Sequence, residues 1–376
     1  MIGNALRLLA GLISLYILPK ALGLAVYGNF QFVNSLIIKF RDTFVSGSEK
    51  AMFSRIVNGK EKKGAFLYPI ILALLGYLCA YMYVVIEQFE TQYFTSLVLL
   101  EFVIFTFTIV RYLSDLEGFT KDLQKFWTIT IFGKALILLI FFLTFPEPWW
   151  INAWLVTTGF LGVVLLIALH RAHKFEFNVP SLRTLKISIV DFQAPIYLSN
   201  LLGVYLFGLI GSGLSVIEDN LLGVFMLSLQ LNGMFALVTN SLQNALWLGD
   251  MSIGASKKRV ILFITGLSLI SICVIWFAPF ILKAFSIIGN DAEQWFVVRL
   301  TLATVVPISI NQMLSIYFYK MERSKMYNMA CTVFIGLSIF IYLNMSQSLE
   351  NIMWFFLLTN LSTAIIFSVI YVLVKE

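Results

Sequence analysis

Three charged residues, Lys39, Arg41 and Asp42, sit inside an apolar stretch that runs from Gly28 to about residue 47. Lys39 and Asp42 are three apart, which puts them on one face of a helix, while Arg41 is turned away by about 100°. Counted from Gly28, the cluster lies about 16 Å along such a helix, near the middle of a bilayer. Charges in hydrocarbon are costly and persist either as ion pairs or because they line a water-filled path. In the first case Lys39 with Asp42 is a pair that tethers the helix to a neighbour; in the second the helix lines a cavity whose surplus positive charge holds an anionic substrate. Arg41 is then a surplus cation suited to an anionic ligand, because a guanidinium fork matches phosphate oxygens and an ammonium adds a point charge.

Further along, Lys134 and Arg299 are cations set away from the ends of apolar runs, and they extend this basic set unless each reaches back to a headgroup. Asp42, Glu101 and Asp191 are the acidic residues within apolar spans. Each is a candidate to carry a coupling proton or sodium ion, the competing role being a structural partner to a basic residue, as Glu101 would be for Lys134. A third group is neutral: Gln230, Asn232, Asn240, Gln243 and Asn244 fall in one apolar span, with Asn240 and Asn244 on a common face. Helix–helix hydrogen bonds account for some of these, and the rest offer donors and acceptors to hydroxyl-rich ligands such as sugars. The candidate substrate-binding set is therefore Lys39, Arg41, Lys134, Arg299, Asn240, Asn244 and Gln230. The ion-coupling candidates are Asp42, Glu101 and Asp191.

The same inventory argues against catalysis. The chain has two histidines, His170 and His173, and three cysteines inside apolar runs, so no metal site, disulfide or cofactor is expected. It has no Gly-x4-Gly-Lys-Ser/Thr phosphate cradle for ATP. Glycosyltransferases and polymerases of the membrane need sizeable outer loops to hold catalytic acids, and the outer loops here are about ten residues at most.

The elements that must position these residues are membrane helices. Of 376 residues, 60% are hydrophobic and 12% charged, with a mean hydropathy of +0.90, which a soluble domain does not carry. The hydropathy pattern predicts an all-α protein with twelve spans, at about 4–22, 28–47, 65–86, 93–112, 127–145, 150–170, 187–212, 222–247, 260–282, 293–318, 328–345 and 351–373. Most of the 26 Lys and Arg residues fall in alternate loops, which places both termini in the cytoplasm and assigns the net charge of +6 to topology and lipid attraction rather than to nucleic acid. Trp149, Trp150, Trp154 and Trp295 read as an outer aromatic belt. The loop 171–186 separates six helices (1–170) from six (187–376). A shift of 195 residues aligns Gly28-Asn29-Phe30 with Gly223-Val224-Phe225 and Lys62-Lys63 with Lys257-Lys258. Two repeats of six helices have parallel topology.

The segments LGLAVYGNF (22–30), VSGSEKAMFSR (45–55) and LLGVFMLSLQL (221–231) resemble the polysaccharide (O-antigen, Wzx-type) flippases, of the superfamily that holds the multidrug and toxic compound extrusion (MATE) proteins and the lipid II flippase. The resemblance implies a MATE-like fold of two six-helix lobes around a central cavity that opens alternately to each side. It further implies a polyprenyl-diphosphate-linked oligosaccharide as substrate, of the undecaprenyl type, moved across a bacterial inner membrane for O-antigen, capsule or exopolysaccharide assembly. Polysaccharide assembly proteins would be its partners. Lys39 and Arg41, with Lys134 and Arg299, would meet the diphosphate. A cation-coupled drug exporter of the same shape is the principal rival, and a membrane glycosyltransferase or polymerase the second.

Overall fold

A computed structural model describes residues 2–61, 64–145, 149–247, 257–311 and 324–375. Among these the secondary structure is helical, without strands. The helices are α1 (Ile2–Leu22), α2 (Leu24–Val45), α3 (Ser48–Val57), α4 (Leu67–Ile86), α5 (Phe94–Glu117), α6 (Thr120–Thr144) and α7 (Trp150–His173). They continue as α8 (Leu182–Ile187), a π-helical segment (Ser188–Gln193), α9 (Ala194–Ile217), α10 (Asp219–Trp247), α11 (Lys257–Ala284), α12 (Ala292–Ala303), α13 (Ser324–Asn344) and α14 (Leu349–Lys375).

Eight stretches among the described residues are long and apolar enough to cross a membrane: α4, α5, α6, α7, Ile196–Ile217, Ala292–Asn311, Tyr327–Asn344 and Leu349–Ile370. α1, α2, α10 and α11 occupy the other four places expected of spans. α2 differs from the eight by its Lys39, Arg41 and Asp42. Large apolar side chains are exposed along whole faces, as with Leu74, Leu78 and Met82 on α4 and Phe340 and Leu337 on α13. On helices of this length such faces meet lipid. The chain is a multi-pass membrane protein.

Several boundaries differ from the hydropathy reading, each for a local reason. The second helix starts at Leu24, just after Gly23 in the left-handed conformation, rather than at 28, so residues 24–28 are the first turn of α2. α5 runs to Glu117 and α6 starts at Thr120, because charged residues such as Asp115, Lys121 and Asp122 extend the helices past the apolar zone instead of ending them. The basic loop after α2 contains a helix of its own, α3, whose acidic first turn (Glu49) and basic last turn (Arg55) suit the helix dipole.

The chain divides into two compact units, Met1–Leu22 with Asn29–Gly208, and Gly23–Gly28 with Leu209–Glu376. In unit one, α1 packs on α6, α7 lies against α5 and α6, and α3 packs against α4, α5, α8 and the π segment. In unit two, α12 is central, contacting α10, α11 and α14. Trp150 and Trp154, expected in the aromatic belt, are core residues at 1% exposure each. The indole of Trp154 donates to the Lys134 carbonyl at 2.9 Å, and with its one donor satisfied the ring needs no interface.

At the start of unit two, α2 crosses α10. The Tyr27 hydroxyl, fully buried, donates to Gln230 Oε1 at 2.8 Å. Gln230, predicted to meet substrate, is thus bonded to a neighbouring helix. Tyr27→Phe should lower thermal stability by about 1 kcal/mol, measured by unfolding in detergent, with no change in expression.

Candidate functional site

The charged residues of α2 fall on two faces. Ser35, Lys39, Asp42 and Ser46 make a stripe at helical spacing that is exposed or half-exposed, whereas Arg41 turns inward. Because α2 begins at Leu24 and ends at Val45, Lys39 lies about 9 Å from its basic end. Lys39 is therefore off the middle of the folded helix, nearer its C-terminal end than counting from Gly28 gives. An exposed stripe of two serines, an ammonium and a carboxylate is incompatible with acyl chains, so this face of α2 borders water.

Arg41 is held on every side. Its guanidinium reaches Asp42 Oδ1 at 2.8 Å and Glu101 Oε2 on α5 at 3.3 Å, and lies 5.4 Å from the centroid of the Phe105 ring. Side-chain exposure is 12% for Arg41, 8% for Glu101 and 55% for Asp42, so Glu101 is the buried partner and Asp42 the one that also faces water. The Tyr77 ring of α4 is buried beside the guanidinium. Gly76 brings α4 close enough that a Cβ there would sit 2.7 Å from the Arg41 Cα, which fixes the backbone of α2 at this point.

The pairing differs from the one expected. Asp42 bonds Arg41 rather than Lys39, and Glu101 bonds Arg41 rather than Lys134. Lys39 has no carboxylate within ion-pair distance among the described residues, and its ammonium lies 4.7 Å from the centroid of Phe207 on α9. Phe207 in turn stacks on Phe32 of α2 at 5.1 Å. Lys134 on α6 sits 5.4 Å from the Trp154 ring centroid and interacts with Glu101 only through space. Unit one therefore gathers three cations and two carboxylates, with the two carboxylates spent on one cation.

The other predicted residues lie elsewhere. Arg299 belongs to unit two, its guanidinium 5.1 Å from the Trp276 ring and 5.6 Å from the Trp295 ring. The side chains of Asp191, Asn240 and Asn244 fall outside the described residues. Asn232 donates to the Thr301 carbonyl and the Thr304 hydroxyl at 2.8 and 3.0 Å, a helix–helix bond of the kind assigned to part of this polar group. Phe207, Tyr77 and Gly76, which place the charges, carry no sequence signal: an aromatic or a glycine in an apolar span is ordinary until its neighbour is known.

This arrangement of helices matches solved structures over nearly the whole chain. An inward-facing multidrug resistance MATE family transporter of the MOP superfamily covers 96% of this chain and 92% of its own, with a TM-score of 0.61 and 16% sequence identity. A MATE structure in a bent conformation matches at 0.59 and 15% identity over 97% and 91% of the two chains. An outward-facing MATE transporter matches at 0.58 and 15% identity over the same shares. The chain has the MATE transporter fold. No protein-family model matches the sequence, and no curated protein matches it. At 15–16% identity the MATE fold carries over, and the charged residues must be read from this chain alone.

Proposed function

We propose that the chain is a transporter that moves an anionic lipid-linked saccharide, of the polyprenyl-diphosphate type, across a bacterial inner membrane by alternating access. The observation that carries this reading is Lys39: an exposed lysine on the water-bordering face of α2, unpaired by any carboxylate among the described residues. Asp42 and Glu101 are committed to Arg41, so the free charge of the site is positive and attracts an anion. An ammonium donates up to three hydrogen bonds and serves diphosphate oxygens as a point charge. Ser35 and Ser46, on the same stripe, add hydroxyl groups for a sugar. Arg41 in this reading positions the stripe rather than touching substrate, and Lys134, over Trp154, adds to the positive field. In this reading a coupling cation reaches Asp42, accessible while bonded to Arg41, only by displacing the guanidinium. The distribution of basic residues over alternate loops supports cytoplasmic termini in this reading.

The test is flipping of a fluorescent polyprenyl-diphosphate disaccharide by purified protein in proteoliposomes. Lys39→Gln should slow flipping about tenfold, the loss of one charge-assisted contact, and Lys39→Arg should retain most of the rate. An unchanged rate in Lys39→Gln would remove the anion site. Export of a cationic dye that depends on Asp42 and not on Lys39 would instead favour the multidrug activity named for the MATE neighbours.

A further inference from the structure

Unit one also contains a cavity of about 620 Å³ away from the α2 stripe, at the end of α7 that carries His170, Arg171 and His173. Its lining includes apolar Leu166 and Ile167 of α7 together with His170, Glu176 and Phe177. We infer that this cavity holds one phospholipid from the leaflet on the basic-loop side, and that it selects a headgroup bearing a primary ammonium.

The floor is built rather than incidental. Lys174 takes a left-handed conformation (φ 50°) that caps α7 and turns the chain back beneath it. The segment that follows is tied to the α3–α4 connection: the Asn178 amide donates to the Gly64 carbonyl at 2.6 Å, and the Leu67 amide to the Asn178 carbonyl at 3.3 Å. Gly64 has φ 82° and is packed so tightly on the Glu176 carbonyl that a side chain there would collide with it. Phe175 is buried, edge-on to His170 with centroids 5.1 Å apart, and stacked toward Phe119. Glu176 is thereby presented from a fixed backbone. Its carboxylate is exposed and has no hydrogen-bond or ion-pair partner among the described residues, and His170 beside it is exposed as well.

The surroundings identify the occupant. Phe160, Val164 and Ile167 share the face of α7 that leads to the cavity and are 67%, 45% and 48% exposed. At membrane depth such a face meets acyl chains, so whatever enters is an amphiphile with its tail along α7. At the polar end, the unpaired Glu176 of the lining and the carbonyl end of α7 both favour a cation, while exposed Arg171 and Lys174, outside the lining but within four residues of His170, supply positive charge for a headgroup phosphate. A zwitterion with phosphate and ammonium a few bonds apart satisfies both. A choline headgroup cannot donate hydrogen bonds to Glu176, and an anionic headgroup offers Glu176 no cation.

Delipidated protein in detergent, titrated with phosphatidylethanolamine, phosphatidylcholine and phosphatidylglycerol of identical chains and read by native mass spectrometry, tests this. Wild-type protein should retain phosphatidylethanolamine at least about threefold more tightly than the other two, the scale of one accessible charged contact. Glu176→Gln should erase the preference over phosphatidylcholine without changing thermal stability. Equal retention of the ethanolamine and choline lipids by wild type, a preference for phosphatidylglycerol, or an undiminished preference in Glu176→Gln would each overturn the inference, and the wild-type ratio decides by itself if the variant does not fold. No saccharide is present in this measurement, so its outcome is independent of the transport assay.

Discussion

Arg41→Ala is expected to lower the stability of the folded protein by about 3–5 kcal/mol, seen as a large fall in the unfolding temperature in detergent and in the yield of monodisperse protein. The cost comes from what the substitution leaves behind. Glu101, with a side chain 8% exposed, loses its only ion-pair partner among the described residues. Lys134 helps it only through space. Glu101→Ala should cost a similar amount, because Arg41 keeps only the half-exposed Asp42. Replacing both partners by apolar residues of similar size, Arg41→Met with Glu101→Leu, should recover most of the loss, since a buried ion pair contributes little beyond a packed apolar pair. Lys39→Gln, by contrast, should change stability by no more than about 0.5 kcal/mol, because Lys39 has no ion pair to break. If Arg41→Ala folds as well as wild type, the Arg41–Asp42–Glu101 cluster is not a structural clamp and Arg41 becomes available to substrate.

This contrast separates what the sequence could say about α2 from what it could not. That a charged cluster lies in a membrane helix follows from composition and run length alone, and the helices themselves were readable because each run is long and apolar. The assignment of partners was not readable. Lys39 and Asp42 share a face by the helical repeat, so intrahelical geometry favours their pairing, yet the long Arg41 side chain bonds its immediate neighbour Asp42 and at the same time Glu101, 60 positions along the chain. The choice depends on α5 lying beside α2, a tertiary fact with no local signature. The π segment ahead of α9 was similarly hidden. Pro195 removes one backbone donor there, but a proline before an apolar run reads equally well as a plain helix start. Lys134 and Trp154, at first a lone cation and an interfacial aromatic, explain each other only once α6 and α7 are side by side.

The repeat signal, by contrast, said more than it was asked. The alignment of Gly28 with Gly223 was a weak register match, and the two glycines meet in unit two. A Cβ on Gly28 would lie 2.5 Å from the Gly223 nitrogen, and one on Gly223 would strike the Leu24 carbonyl. Both obstacles are backbone, which cannot rotate away, so the two aligned glycines mark a close crossing of α2 and α10 that only small residues permit. Gly223→Val should therefore force the helices apart, break the Tyr27–Gln230 bond seven residues further along α10, and cost about 3 kcal/mol or more. The cost would be read from unfolding temperature and from the fraction of aggregated protein. Gly28→Ala should fail in the same way. Gly233, on the same helix as Gly223, has nothing within 4 Å of where a Cβ would stand, and Gly233→Ala should be neutral or mildly stabilising because alanine is the better helix former. Equal tolerance of Gly223→Val and Gly233→Ala would mean that the crossing is loose and that the aligned glycines have no packing role.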